Sequence, residues 1–296
     1  MTVVAQQEAD SGWSELGFAP GLVLRAFGMR RAGNHAMLNW LTRNAPGGAV
    51  FLNNCTLRKS PFDSYASLEV NGERRSLRRR APLSSVTAQA GDGAMLVISY
   101  EDHMPGPADA GRALTLGIDE ARVDRELILY RNFMNWSASL LKKLQGNARY
   151  GFTSRMRVMI NALDKYRQGL ELASDPQLSK VLPVCYDSWL ASETYRARVL
   201  GRLELPLRDN SLGDVQSYGG GSSFQKDAAA PDQLATSERW QLMVPSPDYQ
   251  VLLLTASQDE RLLDLMGELM PEDLAMLREF VRQAQFPFEV YVGHDR

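Results

Sequence analysis

Leu22-Val-Leu-Arg-Ala-Phe27, Gly28-Met-Arg-Arg-Ala-Gly-Asn-His35 and Ala36-Met-Leu-Asn-Trp-Leu41 follow one another without a break. The first reads as a strand, the second as a tight polar turn with two glycines, the third as the body of a helix. Such a turn aims backbone N–H groups and the positive end of the helix dipole at one point, which makes an anion site. Arg30 and Arg31 add planar forks suited to phosphate or sulfate oxygens. The turn is not that of a nucleoside triphosphatase: G-x-x-x-x-G-K-[ST] is absent, and it holds no Lys followed by Ser or Thr to bind Mg²⁺. Taken alone, it also fits a polar turn with surface arginines.

Working outward, short apolar runs alternate with amphipathic stretches, the pattern of a parallel sheet covered by helices. Strands are predicted at Leu22 to Phe27, Ala49 to Leu52, Ala94 to Ser99, Glu126 to Tyr130 and Val181 to Tyr186. Helices are predicted at Asn34 to Asn44, Asn132 to Leu144, Met156 to Leu172, Ser188 to Leu203 and from Pro271 onward. Tyr249 to Leu254 has strand-like composition but runs into a helical pattern, and periodicity leaves it undecided. Lys59 to Ser85 and Asp209 to Gln233 read as loops. The 296 residues suit one α/β domain, with residues 1–18 as a flexible N-terminal segment.

At 44% hydrophobic, 23% charged and a net charge of −2, the chain is neither disordered nor built for nucleic acid. No apolar run approaches the ~20 residues of a membrane span, and the start lacks the pattern of a signal peptide. Cys55 and Cys185 lie far apart with no C-x-x-C spacing, so neither a disulfide framework nor a zinc site is expected. A reducing cytoplasm is the expected compartment.

Two further segments carry chemistry. In Leu127-Ile-Leu-Tyr-Arg131-Asn132-Phe-Met-Asn135-Trp136-Ser-Ala-Ser139 an Arg ends a strand and a Ser follows eight residues later. Eight residues is slightly over two helical turns, so both side chains can share one anionic ligand. In Tyr218-Gly-Gly-Gly-Ser-Ser-Phe224 the glycines and serines can form a nest of donors around a phosphate, or simply a flexible linker.

Together and in this order, the segments resemble the sulfotransferase family that uses 3′-phosphoadenosine-5′-phosphosulfate. Arg31-Ala32-Gly33-Asn34-His35 resembles its 5′-phosphosulfate loop, whose usual form is Pro-Lys-Ser-Gly-Thr-Thr. Here the loop Lys is replaced by Arg31, and Ser-Gly-Thr-Thr by Ala-Gly-Asn-His. Arg131-Asn132 with Ser139 is similar to its 3′-phosphate motif, and Val184-Cys185-Tyr186-Asp187 to the Tyr-Glu pair that closes the next parallel strand. Gly220, Gly221, Ser222 and Ser223 resemble the late loop completing the 3′-phosphate site.

The resemblance implies a three-layer αβα, P-loop NTPase-like sulfotransferase fold with a central parallel sheet. It also implies in-line sulfuryl transfer from that donor to a hydroxyl or amine of a small-molecule, lipid or glycan acceptor, with no metal. Donor-binding residues would be Arg30, Arg31, Ala32, Gly33, Asn34, His35, Arg131, Ser139, Tyr186 and the late loop, with Arg30 or Arg31 neutralising the leaving phosphate. The base would come from Ser99-Tyr-Glu101-Asp-His103-Met-Pro105, where His103-Met-Pro matches a family His-Leu-Pro; His103 is the first choice and Glu101 the rival. Arg74-Arg75 and Arg78-Arg79-Arg80 read as a solvated charge run or as recognition of an anionic acceptor. The alternatives are a P-loop kinase, which needs the missing Lys-Ser/Thr, and a degenerate sulfotransferase fold kept for binding alone.

Overall fold

The computed structural model describes residues 13–77, 81–106, 114–213 and 238–284. The opening segment forms strand β1 (Leu22–Gly28) and helix α1 (Asn34–Arg43). Then come β2 (Ala49–Asn53), α2 (Pro61–Ser64), β3 (Ser67–Val70), β4 (Glu73–Arg75), α3 (Ser84–Thr87) and β5 (Met95–Glu101). The second half supplies β6 (Arg125–Tyr130), α4 (Phe133–Gln145), α5 (Phe152–Ser174), β7 (Val181–Cys185), α6 (Tyr186–Ala191) and α7 (Glu193–Arg202). Helices α8 (Pro247–Ala256), α9 (Glu260–Leu269) and α10 (Pro271–Ala284) follow.

The strands form one sheet in the order β4-β3-β2-β5-β1-β6-β7. Strands β2, β5, β1, β6 and β7 run parallel, whereas β3 pairs antiparallel with β2 and with β4. The sheet is therefore mixed, where a parallel one was expected. The difference lies in Lys59 to Ser85, which reads as a loop because Pro61, Gly72 and Pro82 interrupt it. In the fold Asn71 and Gly72, both at positive φ, turn a hairpin that extends the sheet edge.

Alternation along β1 divides the core. Leu24 and Ala26 face a cluster with Met37, Leu38, Trp40 and Leu41 of α1 and with Trp189 and Leu200 of α6 and α7. Val23 and Phe27 face the larger cluster built with α4, α5 and α8 to α10. Helices thus cover both faces, the three-layer α/β arrangement. Arg25, buried in the middle of β1, forms ion pairs with Glu120 and Glu126, which compensate its desolvation.

Three local expectations change. The helix predicted from Ser188 to Leu203 breaks at Ser192, whose hydroxyl accepts the Tyr195 N–H at 3.1 Å and caps α7. The undecided Tyr249 to Leu254 is helical, with Pro247 in the first turn and Tyr249, Leu252 and Leu253 buried. Trp13, Leu16 and Phe18, expected to be flexible, are buried in the larger cluster.

Helix α1 leaves β1 toward one face and α4 leaves its parallel neighbour β6 toward the other. The crevice between those two strand ends is the switch point where open α/β sheets take their ligands.

Candidate functional site

The turn from Gly28 to Gly33 is held by its own backbone, with the Ala32 N–H donating to the Met29 carbonyl at 3.1 Å. Arg31 adopts φ 71° and Gly33 φ 90°, so the chain reverses into α1 through two left-handed residues. Gly33 is required twice over. Besides its φ, a Cβ there would stand 2.1 Å from Cδ2 of Tyr186. Gly33, the N-cap of α1, has no side chain with which to cap the helix, and the first turn carries no acid, so the positive end of the helix dipole is directed at the strand ends.

The two loop arginines part ways. Arg30 turns outward: its side chain is 48% exposed and paired with Asp102, whose carboxylate also accepts the Arg30 N–H at 2.8 Å. Arg31 turns inward, its Nε donating to Ser139 Oγ at 3.2 Å. Ser139 is fully buried on α4, so the eight-residue spacing does bring it to the loop. Arg131, 2% exposed at the end of β6, lies 5.1 Å over the Tyr186 ring and 3.9 Å from the Asp187 carboxylate. Its Nη1 also approaches the Arg31 carbonyl at 3.5 Å.

A third cation joins them. Arg239, 5% exposed, lies within electrostatic reach of Arg131, Tyr186, Arg31 and Asp187. Burial, reinforced by Arg131 and Arg31, pushes its guanidinium down to about 10. Burial and then Arg131 likewise lower Arg31. Burial raises the Tyr186 hydroxyl against the pull of Arg131, Arg239 and Arg31. The guanidiniums of Arg31, Arg131 and Arg239 repel one another, and an anion among them would turn that repulsion into attraction. The sequence reading missed Arg239: it follows the Gly- and Ser-rich stretch with no motif of its own, and burial was the only signal.

Glu101 closes β5 in register with Gly28, where the turn begins. The Asn34 amide donates to its carboxylate at 3.4 Å and to the Met29 carbonyl at 3.1 Å. Burial raises the Glu101 carboxyl; the Asn34 hydrogen bond, Arg30 and Arg31 oppose the rise, and Asp102 adds to it. His103 follows, half-buried, beyond Asp102. His35 keeps only its main chain at the turn. Its ring stands edge-on to Phe51 at 6.2 Å, with burial and Arg74 lowering its pKa and Glu69 opposing. Ala32 is buried in the core and its N–H is spent in the turn.

Gly220, Gly221, Ser222 and Ser223 lie outside the described residues, as do Arg78, Arg79 and Arg80. Among the described residues no cluster of His, Cys, Asp or Glu is arranged to hold a metal ion, and no helix is long and apolar enough to cross a membrane.

No family model matches the chain, and no curated protein matches it. Among solved structures it is similar to the mouse sulfotransferase SULT7A1 complexed with PAP, at 10% identity over 94% of this chain and 96% of that one, with a TM-score of 0.44.

Proposed function

We propose that the chain binds 3′-phosphoadenosine-5′-phosphosulfate between β1 and β6 and transfers its sulfuryl group, without a metal, to a hydroxyl or amine of a small-molecule, lipid or glycan acceptor in the cytoplasm. The observation that carries this reading is the gathering of Arg31, Arg131 and Arg239 within electrostatic reach of one another, with Ser139 on Arg31, beside the glycine-capped start of α1. Two anionic groups of one ligand suit this pattern better than a single carboxylate. The order of the motifs, which resembles that of the sulfotransferases, makes those groups the phosphosulfate and the 3′-phosphate. Two free, buried cysteines suit a reducing compartment.

In this reading Arg31 and the leading amides of α1 hold the phosphosulfate, while Arg131, Ser139 and Arg239 hold the 3′-phosphate. The acceptor oxygen or nitrogen attacks sulfur in line. The bond from sulfur to the bridging oxygen breaks, and adenosine 3′,5′-bisphosphate leaves with the electron pair. Arg31 neutralises the charge that develops on that oxygen, a contribution of fixed positioning and electrostatics. The acceptor's proton passes to Glu101. Its place across from Gly28 and its raised pKa favour it as base over His103, which is the alternative.

Calorimetric titration with adenosine 3′,5′-bisphosphate in the presence of chelator tests the donor site. Micromolar binding that is lost in Arg131→Ala and Arg31→Ala is the expected result. Binding of ATP with Mg²⁺ alone would move the chain to the kinases. Donor binding with no turnover of any acceptor would leave a binding protein.

A further inference from the structure

The two arginine-bearing turns belong to different strands, yet one pair of stacked rings touches both. Trp136 of α4 and Tyr166 of α5 lie face to face with centroids 4.2 Å apart and planes 14° apart, and both are buried. The Trp136 indole N–H donates to the Arg30 carbonyl at 3.0 Å. On the far side of the stack, the Tyr166 hydroxyl donates to the Arg131 carbonyl at 2.6 Å. Phe133 tilts against both rings, at 6.2 and 5.8 Å, and keeps them from sliding.

Because a peptide unit is planar, pinning a carbonyl oxygen fixes the N–H of the next residue as well. The Trp136 bond therefore orients the peptide that enters Arg31, the non-glycine residue held at φ 71°. The Tyr166 bond orients the peptide that enters Asn132, whose N–H donates to Asp187 at 2.7 Å. We propose that Trp136 and Tyr166 act as one strut that sets the spacing between the Arg31 and Arg131 turns, so that a ligand with two phosphates engages both at once. These are positioning residues: neither would touch the transferred group. The proposal rests on the donor-site reading above, and it makes the strut responsible for selecting a bisphosphate over a monophosphate.

A ligand that holds two sites gains through the effective concentration of its second group, a gain that vanishes when the spacing is wrong. A monophosphate uses one turn and gains nothing from the spacing. The test is calorimetry with adenosine 3′,5′-bisphosphate, adenosine 3′-monophosphate and adenosine 5′-monophosphate on the wild type, Tyr166→Phe, Trp136→Phe and Trp40→Phe. Trp40→Phe is the control, since Trp40 is equally buried but packs edge-on to Trp189 in the opposite core cluster.

The ratio of bisphosphate to monophosphate affinity is expected to fall by about tenfold or more in Tyr166→Phe and Trp136→Phe. Monophosphate affinities stay close to wild type, and Trp40→Phe keeps the wild-type ratio. Tyr166→Phe removes one oxygen, so it carries the test if Trp136→Phe does not fold. An unchanged ratio in the folded variants would overturn the strut, as would a parallel loss of all three affinities. A wild type that binds none of the three nucleotides would overturn the donor-site reading itself, a distinct result.

Discussion

Helices α1 and α4 both start at the crevice, but their N-termini are finished in opposite ways. The start of α1 is a left-handed glycine, which has no side chain to cap with, and its first turn carries no acid. At α4, the Asn132 N–H donates to Asp187 at 2.7 Å and the Met134 N–H to Asp273 at 2.8 Å, a carboxylate brought by α10 from 139 residues away. Equivalent positive ends therefore have different fates. The protein meets one with its own carboxylates, and in the proposed function the other faces the donor, while Arg131, just before α4, and Ser139 on it reach the same region by side chain.

The sharpest way to break the contrast is through its acids. Glu101, beside the open end, is expected to matter for chemistry, whereas Asp187 and Asp273 at the closed end matter for structure. Glu101→Gln should cost about 10²–10⁴ in turnover while leaving affinity for the bisphosphate in place. In the wild type, activity should fall as pH drops through the pKa of Glu101, which burial raises, since a base must be ionised. That acid limb should vanish in Glu101→Gln. If His103→Ala shows this loss and Glu101→Gln does not, the base is the imidazole.

Arg239→Ala comes next. Removing one partner of a buried charged contact costs about 2–5 kcal/mol, so affinity for the bisphosphate should fall by a factor of about thirty or more. Unchanged affinity would place Arg239 outside the site. Gly33→Ala tests the open cap itself. With φ 90° and a Cβ 2.1 Å from the Tyr186 ring, it should cost about 2–4 kcal/mol in urea unfolding, and bisphosphate binding with it.

The smallest effect belongs to the closed end. Asp273 is fully buried, and burial pushes its carboxyl up to about 7, against the pull of the Met134 and Phe133 amides and of Arg131, with Asp187 adding to the rise. Tyr166 and Tyr249 are its hydroxyl-bearing neighbours. In the unfolded chain the group titrates near 4, so between about pH 4 and 7 the folded state holds a proton that the unfolded state has lost. Its contribution to stability is therefore present at low pH and lost as pH rises through that window. Asp273→Asn should flatten the slope and keep the cap, because the amide oxygen still accepts the Met134 N–H. Asp273→Ala should lose about 1 kcal/mol for the missing cap. A slope that survives in Asp273→Asn would assign it to another group.

Both strand-turn-helix units at the crevice were legible in the sequence, and for one reason. A strand, a turn of a few residues and the first helical turns are local, and periodicity with glycine placement describes them almost completely. The spacing of Arg131 and Ser139 was readable in the same way, since helical geometry fixes where eight residues lead. The hairpin of β3 and β4 was not, because proline and glycine punctuation hid two strands of four and three residues. The split at Ser192 was missed because a cap serine inside an amphipathic run looks like any polar residue.

By itself, then, the sequence determined the α/β alternation, the glycine turn that opens α1 and the pairing of a strand-end Arg with a helix Ser, all set by backbone preferences over a dozen residues. Only the tertiary structure decided that Arg31 and not Arg30 points inward, that His35 turns its ring away, and that Arg239 and Asp273 arrive from beyond residue 237. Direction of a side chain and burial of a charge depend on what the rest of the chain packs against them, and that information resides in contacts between residues well apart in sequence, as far as 139 positions for Met134 and Asp273.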